Sequence, residues 1–316
     1  MGNALRLETS DLVAYITDNS PLGIHSAGYN GVASLIPKHL GNNLFVATYS
    51  GLNYETISLA GLPPYVHSSG SKFEPRCEPM RIERAGDQRV VLVQPETSHA
   101  HVSARITFSM EEPYFLHQRI ELIFHRRFCA AGEKNTFRSL WASYMHMPTD
   151  RHVYTKINDP ASNVEGWSGV TKEDHGSREY LIRPLPVDRE LQATEHLKFM
   201  TNSTTLYTEP TPGSPPSLGE IPTRLSGPLG AYYGFCHEML FLMIFRQPEQ
   251  FRFAYSPCGA GKQPAWNPAW DYILCIEDAQ LEYTYSWDLC LVVKKYQSRV
   301  DVMDEVRRYR AKERAV

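Results

Sequence analysis

The chain has 316 residues, with 32 basic against 35 acidic side chains and a formal net charge of −3. That balance gives no broad positive surface, so nucleic acid is not an expected partner. The longest apolar run, residues 239–245, is far too short to span a bilayer, and residues 1–10 lack the apolar stretch of a signal peptide.

The compartment expected for the chain as it stands is cytoplasmic, or periplasmic or secreted if a leader has been removed. Arg6 occupies the position where a myristoylation signal needs Ser or Thr. Six cysteines (Cys77, Cys129, Cys236, Cys258, Cys275 and Cys290) are widely spaced without a C-x-x-C pair. Most of them read as small buried apolar residues, and together they do not read as a structural zinc site. The aromatic content of 18 Tyr, 13 Phe and 5 Trp suits strands, and also the stacking of rings on sugars.

In chain order, residues 4–17 alternate weakly as an opening strand and end in the turn cluster 18–23. A glycine-rich turn at 28–31 runs into a strand through Ile36, and 43–49 reads as another. Residues 89–94 form a short apolar strand closed by Pro95. Val102, Ala104, Ile106, Phe108 and Met110 alternate with Ser103, Arg105, Thr107 and Ser109. A turn at Glu112-Pro113 then predicts an antiparallel partner.

In that partner, Leu116, Ile120, Leu122 and Phe124 share one face; His117, Arg119, Glu121 and His125 share the other, interrupted by Ile123. Residues 137–147 read as a strand, 159–176 as an irregular loop carrying Trp167 and His175, and 208–230 as a long Pro/Gly/Ser/Thr-rich loop. Four strand-like runs follow at 231–245, 250–256, 269–277 and 281–293. In the last, Tyr283, Tyr285, Trp287, Leu289, Leu291 and Val293 share a face. Only 298–315 has helical periodicity, with Val302, Val306 and Tyr309 on one side. The expected fold is all-β, a large antiparallel β-sandwich over residues 1–297 with a helical tail at 298–316.

P-loop, dinucleotide, zincin and nucleophile-elbow motifs are absent. Residues 259–262 (Gly-Ala-Gly-Lys) make only a turn. No cofactor is expected, although His99-x-His101 leaves a divalent metal open as two ligands on one side of a strand. The row His117, Arg119, Glu121 and His125 is either a solvated sheet face crossed by ion pairs or the floor of a polar groove. In the second case these groups hold a hydroxyl-rich ligand and move a proton. His237-Glu238, placed within an apolar strand, must point one residue inward, into core or groove. Trp270 and Asp271 stand at the mouth of a strand as a closing ring and a turn cap, or as a sugar platform with a hydroxyl acceptor. Trp141, His146 and Trp167 admit both readings.

Residues 23–37, 105–125, 137–150 and 255–272 together resemble the galactose mutarotase-like superfamily, in particular its uncharacterised bacterial members. The resemblance covers residues 4–295 and rests on strand texture and on a few Asn, Trp and Gly positions. It implies a β-supersandwich holding a carbohydrate across the concave sheet face. Its members are aldose epimerases, sugar-binding domains of hydrolases and parts of polysaccharide lyases, and its epimerases pair a His acid with a Glu base. The expected function is a carbohydrate-active enzyme that cleaves a glycan or glycoside by hydrolysis or elimination. The alternatives are an aldose 1-epimerase and a non-catalytic sugar-binding or assembly protein. Catalytic candidates are His117, Glu121, His125 and Asp271. Substrate-binding candidates are Arg119, Trp141, His146, Trp167, His237, Glu238 and Trp270. The expected partner is a carbohydrate, with self-association left open.

Overall fold

The computed structural model describes residues 4–20, 28–59, 61–159, 164–173, 179–185, 204–207, 230–257 and 267–312. The chain opens with β1 (Ala4–Glu8), β2 (Leu12–Thr17), β3 (Gly31–Pro37) and β4 (Asn53–Leu59), followed by the four-residue helix α1 (Glu74–Cys77). Next come β5 (Arg81–Arg84), β6 (Arg89–Gln94), β7 (Val102–Glu111), β8 (Phe115–Phe124), β9 (Phe137–Ala142), β10 (Asp150–Asp159), β11 (Val164–Thr171), β12 (Glu179–Pro184) and β13 (Thr204–Tyr207). The last elements are β14 (Ala231–Cys236), β15 (Met239–Phe245), β16 (Phe251–Ser256), β17 (Ala269–Ile276), β18 (Thr284–Lys295) and α2 (Arg299–Ala311).

These strands make a three-stranded sheet β1-β2-β3, a four-stranded sheet β16-β17-β9-β4, and an eleven-stranded sheet ordered β13-β12-β11-β10-β14-β15-β18-β8-β7-β6-β5. All named pairings are antiparallel, including the expected β7–β8 hairpin, in which Arg105 faces Glu121 and Ser109 faces His117. The architecture is all-β, a large antiparallel sandwich with a short C-terminal helix.

Strand periodicity explains the layers. From β8 and β18, Leu116, Ile120, Leu122, Trp287, Leu289, Leu291 and Val293 enter one core. They meet Leu12 and Leu35 of the small sheet and Tyr54, Trp141 and Tyr272 of the four-stranded sheet. The opposite face of the large sheet supplies Phe115, Tyr233, Phe235, Leu240, Leu242, Ile244 and Val292 to a second cluster, closed by Val302, Val306 and Tyr309 of α2. β15 therefore lies between two cores, which is why its seven residues are uniformly apolar and buried. Burying each large apolar side chain of α2 contributes about 1.5–3 kcal/mol, so residues 299–311 are packed structure and not a loose tail.

Local expectations meet several corrections. Residues 4–17 form two strands, and 43–49 is turn structure with a single bridge at Phe45. Residues 231–245 are a tight hairpin, because His237 takes a positive φ of 57° and turns the chain. The expected irregular loop at 159–176 instead contains β11, with Trp167 opposite Lys156. The long loop 208–230, His175 and Cys258 lie outside the described residues, except for Gly230. Five described cysteines are free thiols, and Cys236, Cys275 and Cys290 are buried. No helix among the described residues is long and apolar enough to cross a membrane.

Candidate functional site

β8 turns its polar row away from the main core, and α2 covers only part of that face. What remains is a groove of about 770 Å3, bordered by β6, β7, β8 and β18 and by the C-terminal end of α2. His117 and Arg119 lie on its floor beside Thr107 and Ser109, with Arg89, Arg105, Glu111, Arg246, Asp288 and Lys312 around them. His117 Nε2 is 3.0 Å from Glu111 Oε2, and Lys312 bonds the other oxygen of the same carboxylate. Burial pushes the His117 imidazole below its ordinary range; Glu111 opposes this, and Lys312 and Arg246 add to it. Burial also works to raise Glu111, but its bonds to Lys312 and His117 bring it below the usual carboxylate range. Arg119 stands 3.6 Å from Glu121 and 3.7 Å from Asp288, and Arg105 stands 3.8 Å from Glu121. These are charge contacts too long to saturate a guanidinium fork with hydrogen bonds.

A second polar constellation is enclosed at the ends of β4, β9 and β17. Arg76 of α1 donates from Nη1 to Glu55 Oε1 at 2.8 Å and from Nε to the Gly28 carbonyl at 2.8 Å. Its guanidinium carbon lies 3.7 Å from the centroid of the Tyr29 ring. The Tyr144 hydroxyl donates to the same Glu55 oxygen. Asp271 of β17 accepts from the Ser143 N–H at 3.0 Å and is 2% exposed. Burial pushes the Asp271 carboxyl well above its ordinary range, the Glu55 charge adds to this, and the Ser143 bond opposes it. Burial and Glu55 likewise raise Tyr144. The interior thus holds Asp271, whose carboxyl is pushed up by burial, in one cluster with Glu55, which has cation and phenol partners. Half-buried Tyr49 contacts Tyr29 and Tyr144, and exposed His146 follows two residues after Tyr144.

The predicted site residues therefore fall into separate places. His117 and Arg119 share the groove, and Glu121 adjoins it through its arginine contacts. At roughly 3.3 Å per residue, His125 lies about 26 Å along the strand from His117. It contacts Glu282 and Ser103 there, so the four do not form one catalytic row. Asp271 belongs instead with the enclosed cluster, while His146 is exposed, its backbone N–H bonded to the Leu44 carbonyl. Trp141 and Trp270 are fully buried, Trp141 stacked on Tyr54 and Trp270 edge-on to Phe241, so neither presents an open face to a sugar. Trp167 is half-buried and packs edge-on against Tyr233. His237 and Glu238 form the β14–β15 turn; neither is an inward residue of a strand. His99 and His101 lie in the turn before β7, contacting the Pro63 carbonyl and Glu96 respectively. Among the described residues, no group of three or more His, Cys, Asp or Glu is arranged to hold a metal.

Sequence reasoning missed Glu55, Arg76 and Tyr144, which converge from separate segments. It also missed the Asp150–His152 pair, 2.8 Å apart and almost fully buried. The one local signal for Arg76 is a charged residue in an otherwise short, Pro-interrupted turn, which does not reveal burial.

No protein-family model matches the chain, and no curated protein matches it in sequence. Among solved structures, a candidate aldose 1-epimerase of Escherichia coli K12 superposes with a TM-score of 0.55 at 11% identity, covering 94% of this chain and all of that one. An aldose epimerase homologue of C. elegans gives 0.46 at 8% identity, covering 94% of this chain and all of that one. A heparan sulfate lyase mutant of Pedobacter heparinus gives 0.35 at 12% identity, covering 91% of this chain and 34% of that one. The chain has the galactose mutarotase-like fold.

Proposed function

We propose that this protein is a carbohydrate-active enzyme working by acid–base proton transfer at the Glu55–Asp271 cluster, which a sugar reaches once the side chains over it, Tyr49 and Tyr144, move aside. Asp271 is the proton donor, Glu55 the acceptor, and Tyr144 and Arg76 hold Glu55 in place. The observation that carries this reading is the pairing itself. Burial raises the Asp271 carboxyl, while Glu55 accepts from Arg76 and Tyr144, so one cluster holds a group placed to donate a proton and a group placed to accept one. Interconversion of sugar anomers needs such a pair, with no nucleophile and no water molecule in the bond-making step. The aldose 1-epimerase named for the E. coli K12 neighbour is the activity we therefore place first.

The experiment is anomer interconversion followed by NMR across a panel of aldoses. The wild-type chain accelerates at least one sugar. Asp271→Asn and Glu55→Gln each lower kcat by about 10²–10⁴-fold, the usual contribution of a lost acid or base. A folded wild type that accelerates none of the sugars overturns the epimerase reading.

Cleavage of a glycan is the second reading, favoured by the groove. Its volume admits an extended ligand, and Arg119 beside His117 suits a uronate undergoing elimination. Product formation from uronic-acid polymers, absent in His117→Gln, separates it from the first.

A further inference from the structure

The groove on β6, β7, β8 and β18 is better suited to an anion than to a neutral sugar. Its cations come from four different elements: Arg89 from β6, Arg105 from β7, Arg119 from β8, and Arg246 from the segment after β15. Lys312 adds a fifth at the end of α2. Glu111 and Asp288 line the cavity with the opposite sign and Glu121 adjoins it, so five cations face three carboxylates. Glu111 is engaged by Lys312 and His117, while Arg105 and Arg119 stand 3.6–3.8 Å from Glu121 and Asp288, too far to fill their guanidinium donors. Arg246 donates from both terminal nitrogens to the Tyr309 and Lys312 carbonyls, while its buried Nε has no partner among the described residues. The whole chain is net acidic, so this concentration of positive charge is local. Between the cations, Thr107 and Ser109 place hydroxyl donors on the floor.

The spread of charge sets the kind of ligand. β6, β7 and β8 are consecutive in the sheet, and at about 4.8 Å per strand their arginines extend over roughly 10 Å across the strands. That is several times the size of one phosphate or carboxylate group, so a single small anion leaves most of the groove uncontacted. Single-stranded nucleic acid meets the charge requirement, but it is held by aromatic faces on which bases stack. The tyrosine lining this groove, Tyr309, is covered by the Arg246 guanidinium at 4.6 Å and is buried.

We propose that this groove binds a polyanionic glycan, an oligosaccharide carrying repeated carboxylate or sulfate groups that pair with Arg89, Arg105 and Arg119 while its hydroxyls meet Thr107 and Ser109. The saccharide backbone of this ligand rests on the carbohydrate-active reading above; its charge does not.

The test is titration calorimetry on the full chain with hexagalacturonate, a heparin-derived hexasaccharide, cellohexaose and a single-stranded hexanucleotide. The two anionic saccharides distinguish carboxylate from sulfate as the recognised group. The proposal expects at least one of them to bind at 50 mM salt. It expects that affinity to fall about tenfold or more by 200 mM, as counterion release requires. Arg105→Gln/Arg119→Gln, both on solvent-facing positions, weakens it at least tenfold. Arg81→Gln, an exposed arginine outside the groove, leaves it unchanged. Three results each overturn the proposal: no binding of either anionic saccharide, a double variant that binds like wild type, or equal affinity for cellohexaose or the hexanucleotide. A wild-type chain that accelerates no aldose yet binds an anionic saccharide would instead remove the epimerase reading and leave this one standing.

Discussion

Asp271 and Glu55 share one interior, and of the two Glu55 has the cation. That asymmetry makes a pH prediction with a definite sign. The folded state holds the Asp271 proton more firmly than the unfolded chain, whose carboxyl titrates near 3.9. Unfolding therefore releases a proton, and the Asp271 contribution is fully present below that value and lost as pH rises through the raised folded value. Asp271→Asn removes this term, so its melting temperature should gain on wild type as pH goes from 4 to 8. A wild type that gains instead would mean that Asp271 is ionised and paired. At the same scale, a Cβ on Gly234 would lie 2.4 Å from the Trp270 ring. Gly234→Ala should cost about 1–3 kcal/mol by overpacking, read as a lower urea midpoint. Asp271 was legible from its place next to a tryptophan in a strand. Its raised pKa was not, because that depends first on burial and then on the charge of Glu55, a residue more than 200 positions earlier and brought near by strand pairing.

The α2 helix was legible as an element from its apolar spacing, and its cap is the Ser298 side chain accepting from the Asp301 N–H. What holds it against the sheet was not legible. Lys294, 9% exposed at the end of β18, bonds Asp301 and Glu305 at 2.7 Å each, and the Tyr114 hydroxyl also donates to Glu305. Replacing Lys294 by Met leaves Glu305 buried without its ammonium partner, at a cost of about 3–5 kcal/mol. The double change Lys294→Met/Glu305→Leu should cost less than Lys294→Met alone, because the more deeply buried carboxylate is then gone and only the partly exposed Asp301 has lost its partner. Chemical denaturation of the two variants compares them directly. A similar lesson holds for β15. Its apolar run announced burial, but periodicity has no information about a sheet covered on both faces.

At the level of the molecule, strand density and one helical stretch were enough to anticipate a β-sandwich, since alternating patterns report which face is buried. Sheet membership was hidden, because pairs such as β8 with β18 and β10 with β14 join strands far apart in sequence. The second core has residues from β14, β15, β18 and α2 together. Ending the chain at residue 297 should consequently uncover Leu242, Ile244 and Val292, seen as a lowered melting temperature and new binding of a hydrophobic dye. The eleven-stranded sheet also has to stop somewhere, and at one end it stops on β5. That strand has four residues, Arg81, Ile82, Glu83 and Arg84, with Arg81 bonded to Glu83 at 2.5 Å and Arg84 tied to the Arg6 carbonyl. A strand so short and so charged is a poor template for the backbone of another molecule. The arginines of β5 thus act as a guard against fibre growth. Replacing Arg81, Glu83 and Arg84 with Thr, Val and Thr would be expected to shorten the lag before thioflavin-positive aggregates form in concentrated solution.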